Sequence, residues 1–355
     1  MRVEFWTTGA GVPRTVARQA QRAEAAGFDG IVFVDSQNLS GDCYIACSNA
    51  AQATERLKVG TGVTNPFTRH PAVTASAIAT VQAESGGRAV LGIGRGDSAL
   101  AHLGFAPASV PVFERYLRRL QGYLRREDVP FEEGANVDDL GLADTPSSSR
   151  IAWLRPGQLK VPVDVAATGP KVIRMAAVVA DSVTFAVGAD PARLRWGIET
   201  ARAARVEAGL DPLTMPVGAY VTVVVHPDVS VARRLGEGGV SLFARFSAMH
   251  GNVVGPATEA DRAVLKGVHD AYDMTHHAQA GSAQASVIGD DFASRFAILG
   301  DVPHCIERLQ ELASLGLERF VIVGASMGAD RFEGEAAARR FAEEVMPAVR
   351  ASQPV

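Results

Sequence analysis

The sequence predicts a (β/α)₈ TIM barrel, and three observations carry that prediction. An amphipathic helix, a glycine able to end it in a left-handed cap, and a short apolar run suited to a buried parallel strand recur along the chain. Near the start, Ala17 to Ala26 reads as helix, Gly27 as its stop and Gly30-Ile31-Val32-Phe33-Val34-Asp35 as strand. Ile306 to Leu315, Gly316 and Arg319-Phe320-Val321-Ile322-Val323-Gly324 repeat this order near the end. The second observation is the number of such strands, about eight, and the third is the length of 355 residues, which suits one barrel with insertions.

In chain order the expected strands are 3–6, 31–34, 57–61, 89–94, 163–166, 182–185, 217–224 and 320–323. Helices are expected between them, at 12–26, 72–85, 114–125, 172–179 and 191–208. Strand alternating with helix implies a parallel sheet covered on its outside. Two segments break the rhythm. Residues 127–160, with Glu132-Glu133-Gly134 and Pro146-Ser147-Ser148-Ser149, read as a surface excursion. Residues 226–300 mix a Gly-rich turn, Gly236-Glu237-Gly238-Gly239, with a helical patch at 259–274, and read either as a substrate lid or as a subunit contact. A single domain over 1–355 is the expectation.

Hydrophobic residues make up 47% and charged residues 21%, a globular balance. The net charge of −4 supplies no basic field for a polyphosphate backbone, so nucleic acid is not an expected partner. No charged-then-apolar leader and no membrane-length apolar run is found, so the expectation is a cytoplasmic protein without a membrane partner. Cys43, Cys47 and Cys305 read as reduced packing residues. No His, Cys or acid spacing matches a metal ligand set.

On a parallel barrel, chemistry gathers where strands end. Asp35 follows the second strand, Gly62-Val63-Thr64-Asn65-Pro66 the third, Gly94-Arg95-Gly96-Asp97 the fourth and Ala167-Thr168-Gly169-Pro170-Lys171 the fifth; Glu4 lies within the first. Gly92-Ile93-Gly94-Arg95-Gly96-Asp97 is not a dinucleotide-binding turn, because its third glycine is misplaced and no acidic strand end follows. Thr168-Gly169-Pro170-Lys171 joins a strand to a helix start, where free N–H groups and the helix dipole favour an anion; Lys171 either adds charge or is simply solvated. Asp97 reads either as an acid or as the cap of the following helix. His102, His276 and His277 are further candidates, weighed against surface roles.

The run from Gly62-Val63-Thr64-Asn65-Pro66-Phe67-Thr68-Arg69-His70-Pro71 through Ser85-Gly86-Gly87-Arg88-Ala89-Val90-Leu91-Gly92-Ile93-Gly94-Arg95-Gly96-Asp97 resembles the F420-dependent methylenetetrahydromethanopterin reductases of the luciferase-like family. The likeness returns at Thr168-Gly169-Pro170-Lys171 and over 290–330. It implies an oxidoreductase moving a hydride between the deazaflavin coenzyme F420 and a C=C, C=N or C=O group of a small-molecule substrate. It further implies a cis Gly62-Val63 peptide behind the ring, for which the residues alone allow a simple bulge. A cofactor site of Asp35, Gly62, Val63, Thr64, Asn65, Gly94, Gly96, Ala167, Thr168, Gly169 and Pro170 follows, as does a homodimer. Asp97 and Glu4 would share the pocket as mutually repelling catalytic acids. The same barrel serves FMN-dependent monooxygenases, the alternative reading, and a catalytically silent flavin-binding protein is a third. Several relatives carry Asp-His where this chain has Asp35-Ser36, so any proton transfer there needs another group.

Overall fold

The structure is a computed structural model that describes residues 2–132 and 136–352. Met1, and Glu133 and Gly134 of the expected surface excursion, lie outside the described residues. Eight parallel strands close on themselves: β1 (Glu4–Gly9), β2 (Gly30–Phe33), β3 (Lys58–Thr61), β4 (Ala89–Ile93), β5 (Val163–Ala167), β6 (Ser182–Phe185), β7 (Val217–Val225) and, after a short β8 (Ile298–Gly300), β9 (Arg319–Val323). The wall runs β7-β9-β1-β2-β3-β4-β5-β6 and returns to β7 through Val183 opposite Val217 and Phe185 opposite Ala219. β8 adds to the upper half of the same β7 edge, with Ile298 opposite Val223 and Gly300 opposite Val225. β1 runs three residues beyond the expected end because Thr7, Thr8 and Gly9 pair with Ile31, Val32 and Phe33.

Alternation along each strand separates two cores. Phe5, Ile31, Phe33, Val59, Leu91, Val163 and Phe185 point outward and bury against the helices. Trp6, Val32, Tyr220 and Val321 fill the interior. Trp6 occupies so much of it that β2 must pass with a glycine, since a Cβ on Gly30 would lie 2.4 Å from the indole. The interior floor, at the strand N-termini, is polar. Asp164 accepts from Ser182 (2.6 Å), Thr184 (2.8 Å) and Arg319 (2.5 Å), so the buried charges there are paired and hydrogen-bonded.

The helices begin where the sequence supplies caps. Asp42 accepts from the amides of Tyr44 and Ile45, and Asp190 from those of Ala192 and Arg193. The first helix starts at Val16 rather than Val12, because Arg14 sits in the left-handed region at φ 66°. Arg88 of the Ser85-Gly86-Gly87-Arg88 run ties the base together, donating to the carbonyls of Ala51, Thr54, Leu57 and Ser85. Cys43, Cys47 and Cys305 are free and buried, and burial pushes all three thiols up.

Residues 127–160 carry a small antiparallel pair, Val129–Pro130 with Ser148–Ser149. In the second segment the Gly-rich stretch is not a turn: Gly236, Gly238 and Gly239 lie inside the helix Val229–Phe246. They are glycines because that helix packs closely. A Cβ on Gly238 would lie 2.4 Å from the carbonyl oxygen of Ala278, and one on Gly239 would lie 2.9 Å from Thr222 Oγ1. The next helix, Glu259–Asp270, stops short of the expected Met274, which starts a single 3₁₀ turn.

Candidate functional site

The C-terminal rim of β2, β3 and β4 is one hydrogen-bonded surface. The Gly62–Val63 peptide is cis. Beyond it the chain pairs with β4, Thr64 N donating to Gly92 O (3.0 Å) and Gly94 N to Thr64 O (2.9 Å). Thr64 Oγ1 donates to Asp35 Oδ2 (2.6 Å), fixing that carboxylate at the end of β2. Gly62 lies against Val32, whose Cγ2 would be 2.7 Å from an added Cβ, and Gly94 lies between Val63 and Ala166. Asn65 Oδ1 closes a turn by accepting from the amides of Phe67 (3.0 Å) and Thr68 (3.1 Å). Its Nδ2 is buried with no protein partner, an unmet donor at the rim. Arg69 bonds Asp42 and lies over the Tyr44 ring, His70 Nδ1 accepts from Ala72 N, and Pro71 opens the next helix. These residues fix the loop.

Past β4, Gly96 takes φ 79°, where a side chain would also strike Leu100. Past β5, Thr168 Oγ1 donates to Ala186 O (3.1 Å), and Gly169 begins the helix Pro170–Val179 without any side-chain cap. A Cβ on Gly169 meets nothing within 4 Å, so the helix N-terminus stands open, while Val172 N and Ile173 N donate to Gly169 O (3.1 and 3.0 Å). Lys171 is exposed.

Asp35, Gly62, Val63, Thr64, Asn65, Gly94, Gly96 and Asp97 thus share one rim, with Ala167, Thr168, Gly169 and Pro170 on the neighbouring strand. Glu4 does not join them. It is the first residue of β1, and its carboxylate takes Lys58 Nζ (2.5 Å) and Trp6 Nε1 (2.9 Å) at the floor, the opposite end of the barrel from Asp97. Burial raises the Glu4 carboxyl, but the Lys58 and Trp6 hydrogen bonds and the Lys58 and Arg319 charges outweigh it, and the net shift is downward. The expected pair of repelling acids is therefore corrected: a strand residue facing the floor cannot reach a loop beyond the C-terminal ends.

Asp97 is engaged elsewhere. Both its oxygens accept from Arg245 at the end of the helix Val229–Phe246, with Oδ1 2.9 Å from Nη2. The pair is nearly buried, at 12% and 14% side-chain exposure. Asp97 makes no side-chain cap to the short helix Ser98–Ala101. Arg245 lies 4.5 Å over the Tyr272 ring, and Tyr272 OH is 2.9 Å from His277 Nδ1. His276, by contrast, is exposed and bonded to Asp273 (2.6 Å). Arg245 and Tyr272 escape sequence reasoning because nothing local marks a lone Arg and a lone Tyr in the second segment as partners of Asp97.

An eight-stranded parallel barrel with its loops gathered over the C-terminal rim defines the enzyme class of (β/α)₈ barrels with a site at the mouth. Residues 2–319 match the family described as luciferase-like monooxygenase. The chain belongs to that family. It is 28% identical over 323 residues to a 5,10-methylenetetrahydromethanopterin reductase of Methanolobus tindarius, covering 89% of this chain and 91% of that protein. The coenzyme F420 dependent tetrahydromethanopterin reductase structure from Methanopyrus kandleri superposes with a TM-score of 0.75 at 22% identity, over 98% of this chain and 99% of the other. The oxygenating constituent of 3,6-diketocamphane monooxygenase from Pseudomonas putida, in complex with FMN, superposes at 0.65 and 17% identity, over 98% and 99%. Both structural likenesses concern the fold. Among the described residues, no helix is long and apolar enough to cross a membrane and no cluster of His, Cys, Asp and Glu could hold a metal ion.

Proposed function

We propose that this chain is an F420-dependent oxidoreductase acting on a small organic substrate with a C=C, C=N or C=O group, or its reduced counterpart. The observation that carries the reading is the rim formed by Gly62–Asn65 and Gly94, with the unmet, buried Asn65 Nδ2 beside it. The residues present fit a deazaflavin. Val63 packs against Gly94, where the missing side chain leaves room for a flat ring to rest, Asn65 Nδ2 would supply a donor for a ring carbonyl, and Asp35 is held in place by Thr64. The open helix N-terminus at Gly169 suits the phosphate of the cofactor side chain. When bound, the cofactor supplies a hydride acceptor or donor.

The protein's own contribution is orientation and exclusion of water. The strap from Tyr272 to Gly281 is attached at two loops of the C-terminal rim. Arg245 and Asp97 hold one side beyond β4, while Ala280 N donates to Met327 O (2.9 Å) beyond β9. β4 and β9 face one another across the barrel, so the segment serves as the substrate lid. We read the whole chain as one domain and the assembly as a homodimer. Supporting the dimer, the neighbouring helices Cys43–Gln52 and Pro71–Glu84 turn Ile45 (64% exposed) and Val73 (50%) outward.

The fold shared with the FMN-bound monooxygenase keeps an FMN-dependent oxygenase as the second reading. Titrating the purified protein with F420 and with FMN, followed by oxygen uptake with each reduced cofactor, decides between them. F420 binding without oxygen consumption supports the proposal; oxygen consumption with reduced FMN refutes it.

A further inference from the structure

With Glu4 at the floor and both oxygens of Asp97 taken by Arg245, neither expected acid is free to exchange a proton at the mouth. The geometry points to His277, on the strap, as the catalytic residue that exchanges a proton with the substrate through its Nε2. This rests on the F420-dependent reading above and supplies the proton carrier that reading lacks.

Three features converge on His277. Its Nδ1 is held by Tyr272 OH at 2.9 Å, while its Nε2 has no partner among the described residues and is not sealed from solvent. One nitrogen is oriented and the other is open, as a proton-transfer imidazole requires. Second, the orienting tyrosine is itself fixed: its ring packs against His277 at 6.0 Å between centroids and lies under Arg245, which Asp97 anchors. A chain of contacts thus joins the β4 rim to His277. Third, Ala278 takes φ 57°, an uncommon conformation for a residue with a side chain, and Ala280 N–H is fixed on Met327. The backbone on the C-terminal side of His277 is thus fixed, and the ring lies near Asp97 beyond β4.

The charged and titratable groups facing His277 are Asp97, Arg245, His102 and Tyr272. Burial lowers the His277 ring to about 4, the Asp97 charge opposing and the Arg245 and His102 charges reinforcing. The ring is therefore neutral at physiological pH and can accept a proton. In the oxidising direction a deazaflavin held at the rim would supply the acceptor for the hydride of the substrate C–H bond. The O–H or N–H bond on the adjacent atom breaks, its proton passes to Nε2, and the C=O or C=N bond forms. An Nε2 lone pair requires the ring proton on Nδ1, donated to the Tyr272 oxygen.

The test uses full-length protein labelled with ¹⁵N-histidine and the H277Q variant to assign the resonance. Long-range ¹H–¹⁵N spectra from about pH 6 to pH 8 are expected to show a neutral ring with its proton on Nδ1, and an Nε2 resonance that shifts when F420 is added. The Y272F variant should shift the proton toward Nε2. With any donor the wild type oxidises, H277Q should lose about 100-fold or more in F420 reduction, with F420 affinity within about twofold. A proton on Nε2 in the wild type, no response to bound F420, or undiminished turnover in H277Q overturns the assignment. Failure of the wild type to bind F420 refutes the cofactor reading instead, and the spectra still decide whether Nε2 is free.

Discussion

Replacing Asp97 by alanine should loosen the strap while leaving the barrel folded. The substitution strands Arg245, whose side chain is 14% exposed. Removing one member of a buried ion pair costs about 3–5 kcal/mol. The residual exposure, and the Tyr272 ring that still covers the guanidinium at about 1 kcal/mol, bring the expected value to about 3 kcal/mol. That is about a 150-fold rise in the population of open strap. A fully cooperative unit of this length would lose about 4 °C in Tm from such a change, so a smaller shift marks local opening. Hydrogen exchange by mass spectrometry reads the effect directly. Peptides from 241–281 should exchange faster in D97A, those of β1 to β4 should not, and D97A with R245M should cost little more than D97A alone. Unchanged exchange across 241–281, or full additivity in the double variant, would refute the anchoring role.

Gly169→Asp fits sterically and should weaken F420 binding about tenfold or more by repelling its phosphate, with Tm unchanged; equal affinity for F420 in both proteins, measured by fluorescence titration, removes Gly169 from the cofactor site. Glu4 has a depressed carboxyl in the fold, so its pair with Lys58 stabilises at neutral pH and that stability is lost as pH falls below the unfolded carboxyl value toward the folded one. Tm of wild type should exceed that of E4Q near pH 7, and the gap should narrow on acidification; a gap that does not change with pH contradicts the pairing. I45E combined with V73E should turn a dimer into a monomer in light-scattering chromatography, and a wild type already monomeric at micromolar concentration refutes the interface.

The eight wall strands were legible because each is a short apolar run set off by glycine or a capping residue, and that grammar is local. The Gly236–Gly239 stretch misled for the same reason. Glycine usually marks a turn, but here it marks close packing against Thr222 and Ala278, which no local pattern reveals. At the site, the rim residues from Gly62 to Asp97 sit in contiguous motifs and could be read directly. Glu4 was misplaced because a strand's polarity matters as much as its identity: an acid at the strand's first residue faces the floor. Arg245 and Tyr272 were invisible, since their significance arises only when the helix end and the strap fold over β4.

The return of the chain through β8 decouples the second segment from the barrel wall. Both ends of residues 226–297 leave from adjacent, hydrogen-bonded positions on β7 and β8, Val225 opposite Gly300 and Val223 opposite Ile298. A segment whose two ends are stapled together in this way behaves as a cassette. Its length and sequence can change at a cost that grows only slowly with loop length, and closure of the wall is untouched. New substrates would then be acquired by exchanging what lies between the staples, while the β2–β5 rim keeps the same architecture.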